Sequence, residues 1–174
     1  MTTQVPMNAL RRLRKKTGGA VYVEFLIAFM PLFVMFMSTV QLAFVQIANI
    51  VTKHAAVTGC RAAIVVLPDD PADYDNAQTY KVEGKRKADI ESAVKGPLRA
   101  VSLLPIVKVT FPTSAAGDDD KTTEFAHDAI VRVQVKFDYL CQIPIGKNVV
   151  CGLFGVKVLK AEAALPMQGA NYVY

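Results

Sequence analysis

From Phe25 to Met37 the chain carries no polar side chain, and only Ser38, Thr39, Gln41, Gln46 and Asn49 interrupt the run before Val51. About 20 apolar residues cross a bilayer as a helix. This run is longer than that, so part of it must project beyond the lipid. In the projecting part Val40, Phe44, Ile47, Val51 and Ala55 recur at helical steps as one apolar stripe. Gln41, Gln46, Asn49 and Lys53 lie off that stripe. The pattern predicts one continuous helix from about Ala20 to about Val66, anchor and stalk together. Pro31 removes a backbone donor inside it and is expected to bend it, a defect that membrane helices tolerate.

Beyond Val66 the period changes. Residues 67–78, LPDDPADYDNAQ, carry two prolines and four aspartates and read as a surface loop. A second helical pattern runs over 85–104, with Ile90, Val94, Leu98 and Val101 on one face, and Gly96-Pro97 is expected to kink or divide it. IVKVTF, residues 106–111, is rich in β-branched residues and reads as a strand, and 113–128 read as a loop. The clearest strand is IVRVQVKFDY, 130–139: Val131, Val133, Val135, Phe137 and Tyr139 alternate with Arg132, Gln134, Lys136 and Asp138. That period of two predicts one buried and one wet face. A third strand is expected over about 154–165. The sum is an α+β fold, a long N-terminal transmembrane helix continuing into a stalk and packed on a small antiparallel sheet. It divides into a basic leader (1–19), the membrane and stalk helix (20–66) and an extracytoplasmic α+β domain (67–174).

Charge adds topology. Residues 1–19 hold five cations (Arg11, Arg12, Arg14, Lys15, Lys16) and no acid, whereas 52–174 hold fifteen Lys or Arg against fourteen Asp or Glu. Most of the net charge of +5 is therefore a flank to the apolar segment. Such a flank places the N-terminus in the cytoplasm and the bulk of the chain outside. It argues against a nucleic-acid surface, which needs its basic residues on the folded part. A removable signal peptide would have a shorter apolar core and a small-residue cleavage site after it. No such site follows here.

An extracytoplasmic domain would be oxidising for its three cysteines. Cys141 and Cys151 flank QIPIGKNVV, whose Pro144 and Gly146 can reverse the chain, so a local disulfide is expected. A pair of buried free thiols is the alternative. Cys60 is left over, either buried or paired between chains. His54 and His127 show no ligand spacing, and no metal or other cofactor is implied.

One acid stands apart. Glu24 is the only charged residue between Lys16 and Lys53. Near mid-bilayer an ionisable side chain costs roughly 2.5–3.5 kcal/mol on insertion scales, and such residues are usually paired or functional. The bland reading is that Glu24 snorkels at the cytoplasmic interface.

The segment around it, GGAVYVEF from Gly18, resembles the processing site of type IV pilin-like proteins. In that family a membrane aspartic peptidase cuts after a glycine that follows basic residues, and a glutamate stands fifth after the cut. Here the cut would fall between Gly19 and Ala20, Glu24 is fifth, and Phe25 supplies the aromatic that is usual in the Flp and Tad branch. The basic leader, Pro31, the HAAVTGCRAA segment from His54 and the closing LKAEAALP are similar to TadE-like pseudopilins of the tight-adherence system. Cys60 stands where a small residue is common, and residues 67–128 add nothing to the likeness.

The resemblance implies a minor pilin-like subunit acting in pilus initiation, at the tip or in assembly. Its partners would be a prepilin peptidase, other pilin-like subunits and the assembly platform in a bacterial inner membrane, with no small-molecule substrate. Cleavage would expose a cationic amine on Ala20 that Glu24 of a neighbouring copy can accept. The rival reading is a single-pass anchored binding module unrelated to pili.

Three other groupings are discounted as chemistry. Asp118-Asp119-Asp120 lack the closing glutamate of a calcium loop. His127-Asp128 with Cys141 match no catalytic arrangement, so no enzyme is expected. Lys85-Arg86-Lys87 open a helix, where the dipole disfavours cations, and read as a solvated loop or face. The spacing of Phe25, Phe29, Phe33 and Phe36 suits a face toward lipid or neighbouring helices.

Overall fold

The apolar run forms a single helix, α1, from Gly18 to Val66, 49 residues long with Pro31 inside it. The structure, a computed structural model, describes residues 18–112 and 124–167. The leader cations Arg11, Arg12, Arg14, Lys15 and Lys16 lie outside the described residues, as do Asp118, Asp119 and Asp120. The start of α1 precedes the expected Ala20 by two residues, within the usual fraying of helix ends.

The loop after α1 contains a single 3₁₀ turn, Pro71–Tyr74, capped by the Asp70 carboxylate on the Ala72 amide. Helix α2 spans Gly84–Leu98 and buries Ile90, Val94 and Leu98, as their spacing predicts. It does not continue to Leu104. Gly96 and Pro97 fall in its last turn, where weak helix formers are tolerated. The Val101 amide then closes a turn on the Leu98 carbonyl. Pro105 disfavours the helical conformation at Leu104, so the pattern is cut short from both sides.

Strands β1 (Val107–Thr110), β2 (Ile130–Leu140) and β3 (Val156–Pro166) pair antiparallel in the order β1-β2-β3. The alternation in β2 is real: Val131, Val133, Val135, Phe137 and Tyr139 are buried. Its other face is not wet throughout, because Gln134 is also buried and accepts a 3.3 Å hydrogen bond from the Thr110 hydroxyl. Between β2 and β3 a short helix, α3 (Gly146–Val150), lies inside the loop closed by the Cys141–Cys151 disulfide.

The stripe read on α1 holds at Ala55, which is buried, and at Val51, which packs against the core, and is corrected before them. Phe44 and Ile47 are exposed, while Gln41, Val45, Ala48, Thr52, Ala55, Ala56, Cys60 and Ala63 are buried against the domain. The true contact face starts one residue later, about 100° round the helix. The cause is distance: sheet and α2 approach α1 closely, which demands small side chains there. At Gly59 a Cβ would meet the Val94 side chain at 2.4 Å.

Direction along the molecule follows from two contacts. The Cys60 thiol donates to the Val131 carbonyl at 3.3 Å near the C-terminal end of α1. Nineteen residues back along α1, the Gln41 side-chain Oε1 accepts from the Ile143 amide at 3.0 Å, just past the end of β2. Strand β2 thus runs antiparallel to α1, and the disulfide loop ends up beside the middle of the helix.

Candidate functional site

The N-terminal third of α1 projects away from the rest of the described chain. Every residue from Val21 to Leu32 is exposed, and the helix passes the length and hydropathy required of a membrane span. Successive phenylalanines stack along it, Phe25 on Phe29 at 5.5 Å and Phe29 on Phe33 at 5.6 Å between ring centroids. Stacking at i,i+4 stiffens the helix while leaving the outer ring faces free for lipid or another helix.

Glu24 lies on this segment. Among the described residues it has no ion-pair partner, and no charged residue follows it on α1 before Lys53. A shallow groove beside it is lined by Gly19, Val23, Ile27 and Ala28. Those positions are spaced as neighbours on one helix face, and the small Gly19 and Ala28 keep the backbone accessible around the carboxylate. A Cβ built on Gly19 would meet nothing within 4 Å. The fold therefore makes no steric demand for glycine there.

The Gly19–Ala20 bond itself lies in the first turn of α1. The Gly18-Gly19 pair weakens that turn, glycine being about 1 kcal/mol per residue worse than alanine in a helix.

Gly19, Glu24 and Phe25 are thus brought together on one exposed apolar segment. The disulfide belongs elsewhere: Cys141 and Cys151 close the loop carrying α3, whose Gly146 backbone sits against the Met37 carbonyl. His127 and Asp128 are exposed at the opposite end of β2, and His127 packs edge-on to Tyr80 at 5.7 Å. With its sulfur in a disulfide, Cys141 has no thiol to act with them. Cys60 is buried and unbridged.

Two polar residues that join the domain to α1 escaped the sequence reading. Gln41 is fully buried. Its Oε1 accepts from Ile143, whereas its Nε2 reaches only loosely toward the Tyr139 phenol and has no partner of proper hydrogen-bond geometry. Burial raises the Tyr139 pKa, and the Gln41 amide lowers it part of the way back. Arg86, expected on a solvated face, is also fully buried. Its guanidinium donates to the Val66 carbonyl, to Leu67 and Ala77 at 3.4 Å and to Asp69 at 2.9 Å, and it stacks 4.3 Å from the Tyr74 ring centroid. A polar residue inside an otherwise apolar run was the only signal for Gln41. Arg86 had none, because its partners lie 9 to 20 residues away.

Comparison with known protein families, with characterised proteins and with solved structures returns no match. The likeness to TadE-like pseudopilins therefore rests on this chain's own residues.

Proposed function

We propose that the chain is a minor, TadE-like subunit of a tight-adherence pilus machine, held in a bacterial inner membrane with its leader in the cytoplasm. A prepilin peptidase would cut it after Gly19. The observation that carries this reading is Glu24: one acid, exposed on an apolar helix, five residues beyond a glycine that the fold does not require.

Cutting creates an amine on Ala20, cationic near neutral pH. In side-by-side packing, an axial offset of four residues, about 6 Å, brings that amine level with Glu24 of the adjacent copy. Each charge then offsets part of the other's desolvation, and attraction between them is several-fold stronger in lipid than in water. Uncut, the chain has no such cation, and its basic leader holds it at the cytoplasmic face. The free part of α1 would supply the packing surface, and the C-terminal domain would cap the assembly or engage the platform.

The test is the mature N-terminus. Co-expressed with a prepilin peptidase, the protein should begin at Ala20 by mass spectrometry. Gly19→Ala should retain the leader although the helix gains stability, so the defect would report recognition by the peptidase. Glu24→Gln should be cut normally yet fail to co-purify with other pilin-like subunits. A mature chain that keeps residues 1–19 overturns the proposal and leaves an anchored module of unrelated purpose.

A further inference from the structure

The end of the C-terminal domain nearest the free part of α1 is apolar where water would be expected. Leu103 is 93% exposed, Leu153 89% and Phe154 90%, and Leu104, Leu140 and Val149 are exposed beside them in the chain. They come from two separate connections, the α2–β1 link and the β2–β3 connection that carries the disulfide. Both lie at one end. Leu103 and Leu140 line a common shallow cleft with Tyr139 and Gln142, and the disulfide loop is fixed to α1 at Met37 and Gln41.

The anchor sets the height of this rim. Every residue from Val21 to Leu32 is exposed and the domain lies against α1 at Met37, so the part of α1 free of the domain is at most Gly18 to Phe36. At 1.5 Å per residue that is about 28 Å, close to the thickness of a bilayer's hydrocarbon. A helix crossing the membrane with that length brings the disulfide loop and the α2–β1 link to the lipid surface.

Charge is arranged to match. No acid occurs from Tyr139 to Ala161 or from Arg99 to Val107, with one exposed acid, Asp138, immediately before Tyr139, while Arg99, Lys147 and Lys157 flank the exposed apolar side chains. At the far end acids and bases are mixed, with Asp69, Asp70, Asp73 and Asp75 gathered after α1 and Lys85 and Arg86 set against them. Apolar tips ringed by cations, beside the exit of an apolar helix, have the composition of a surface that enters the headgroup layer.

We propose that this rim is a membrane-docking surface: Leu103, Leu104, Leu153 and Phe154 insert into the interfacial layer of the same bilayer that α1 crosses. The domain then does not swing on its stalk. It is held upright by one helix through the lipid and two loops on it, and any extraction of α1 from the membrane must also lift the rim. The proposal rests on α1 spanning a bilayer and is independent of the pilus reading.

The chain has no tryptophan, so single substitutions give unambiguous reporters. The full-length protein is reconstituted into phosphatidylethanolamine–phosphatidylglycerol vesicles whose acyl chains are brominated either near the headgroup or at depth. Phe154→Trp and Leu103→Trp, at exposed sites in two different loops, should emit at shorter wavelength than in water and lose most of their emission to the shallow bromines. Phe29→Trp should be quenched by the deep bromines. Ala72→Trp, in the 3₁₀ turn at the far end, should emit as in water and lose none. Water-like, unquenched emission from both rim reporters, with Phe29→Trp quenched, overturns the docking while leaving the span intact. An unquenched Phe29→Trp removes the span and the docking together. Rim emission that is shielded but not quenched by lipid, and that becomes water-like when protein is diluted with excess lipid, assigns the rim to a second copy and overturns the proposal.

Discussion

Arg86 is the residue that ties the top of the stalk to the domain. A helix leaves its last four carbonyls without partners, and α1 ends without a glycine cap. The guanidinium fork of Arg86 satisfies the last of these, Val66, from another helix and reaches the carbonyls of Leu67, Asp69 and Ala77 in the loop that follows. Its charge is disfavoured at the start of its own helix but favoured at the C-terminal end of α1, where the dipole is negative. The planar group also stacks on Tyr74, whose hydroxyl donates to Asp69 at 3.3 Å. Lysine has one compact ammonium and can neither fork nor stack in this way. Arg86→Lys and Arg86→Met should therefore each destabilise the domain by at least about 2 kcal/mol, the scale of buried polar groups left without partners. Lys87→Met, one residue on and exposed, should stay within about 0.5 kcal/mol. Thermal unfolding of the detergent-solubilised protein, followed by circular dichroism, measures both. Equal midpoints for the Arg86 variants and the native chain would remove the capping role.

At the scale of elements, two glycines control how closely the domain approaches α1, and they differ in what they meet. A Cβ on Gly59 would lie 2.4 Å from a methyl of Val94, whereas one on Gly146 would lie 2.5 Å from the Met37 backbone carbonyl. A side chain can be trimmed and a backbone cannot. Gly59→Ala should be destabilising alone but largely rescued by Val94→Ala, giving a coupling energy of about 0.5–3 kcal/mol in a double-mutant cycle. Gly146→Ala should cost about 1–3 kcal/mol, as overpacking does. No side-chain change on α1 should rescue it. Denaturant unfolding of the four variants decides the matter.

These contacts also explain what the sequence revealed and what it concealed. Strand β2 was legible because its valines answer to one core and its alternation has one cause. The stripe on α1 was misread because two environments compete along that helix. Large apolar residues such as Phe44 and Ile47 are turned away from the domain, and the domain takes alanine, glycine and two buried polar residues, Gln41 and Thr52. Where a helix carries large apolar side chains on its outer face as well, hydrophobicity ceases to identify the core face, and small size identifies it instead. The Cys141–Cys151 pairing was local and therefore visible. Arg86 was hidden because a basic triplet looks solvated until its distant carbonyls are known. The Glu24 segment was visible for the opposite reason: its oddity is local, a single acid in an apolar run.

For the molecule as a whole, stability and charge are distributed along one axis. Tyr139 lies at the end of the domain beside Gln41, and Tyr74 lies at the other end beneath Arg86. Burial raises the pKa of both phenols, and for Tyr74 the nearby Asp69 carboxylate raises it further. A phenol whose pKa is higher in the folded chain than in the unfolded chain favours folding while it is protonated. The unfolded chain releases its protons first, from about pH 10 upward. Above that pH the folded state binds more protons than the unfolded state, so stability must fall as pH rises. The thermal midpoint should accordingly show no pH dependence from these two groups below about pH 10 and a decline beyond it. Lysines titrate in the same range, which is why the comparison matters more than the curve. Tyr74→Phe keeps the ring beneath the Arg86 guanidinium and removes only the ionisable oxygen. Its midpoint should start lower than that of the native chain, because the Asp69 hydrogen bond is lost, and then fall less steeply above pH 10. Parallel alkaline limbs for the two proteins would show that the phenol at the far end of the domain is not coupled to folding, and that the Arg86 cap alone holds that end.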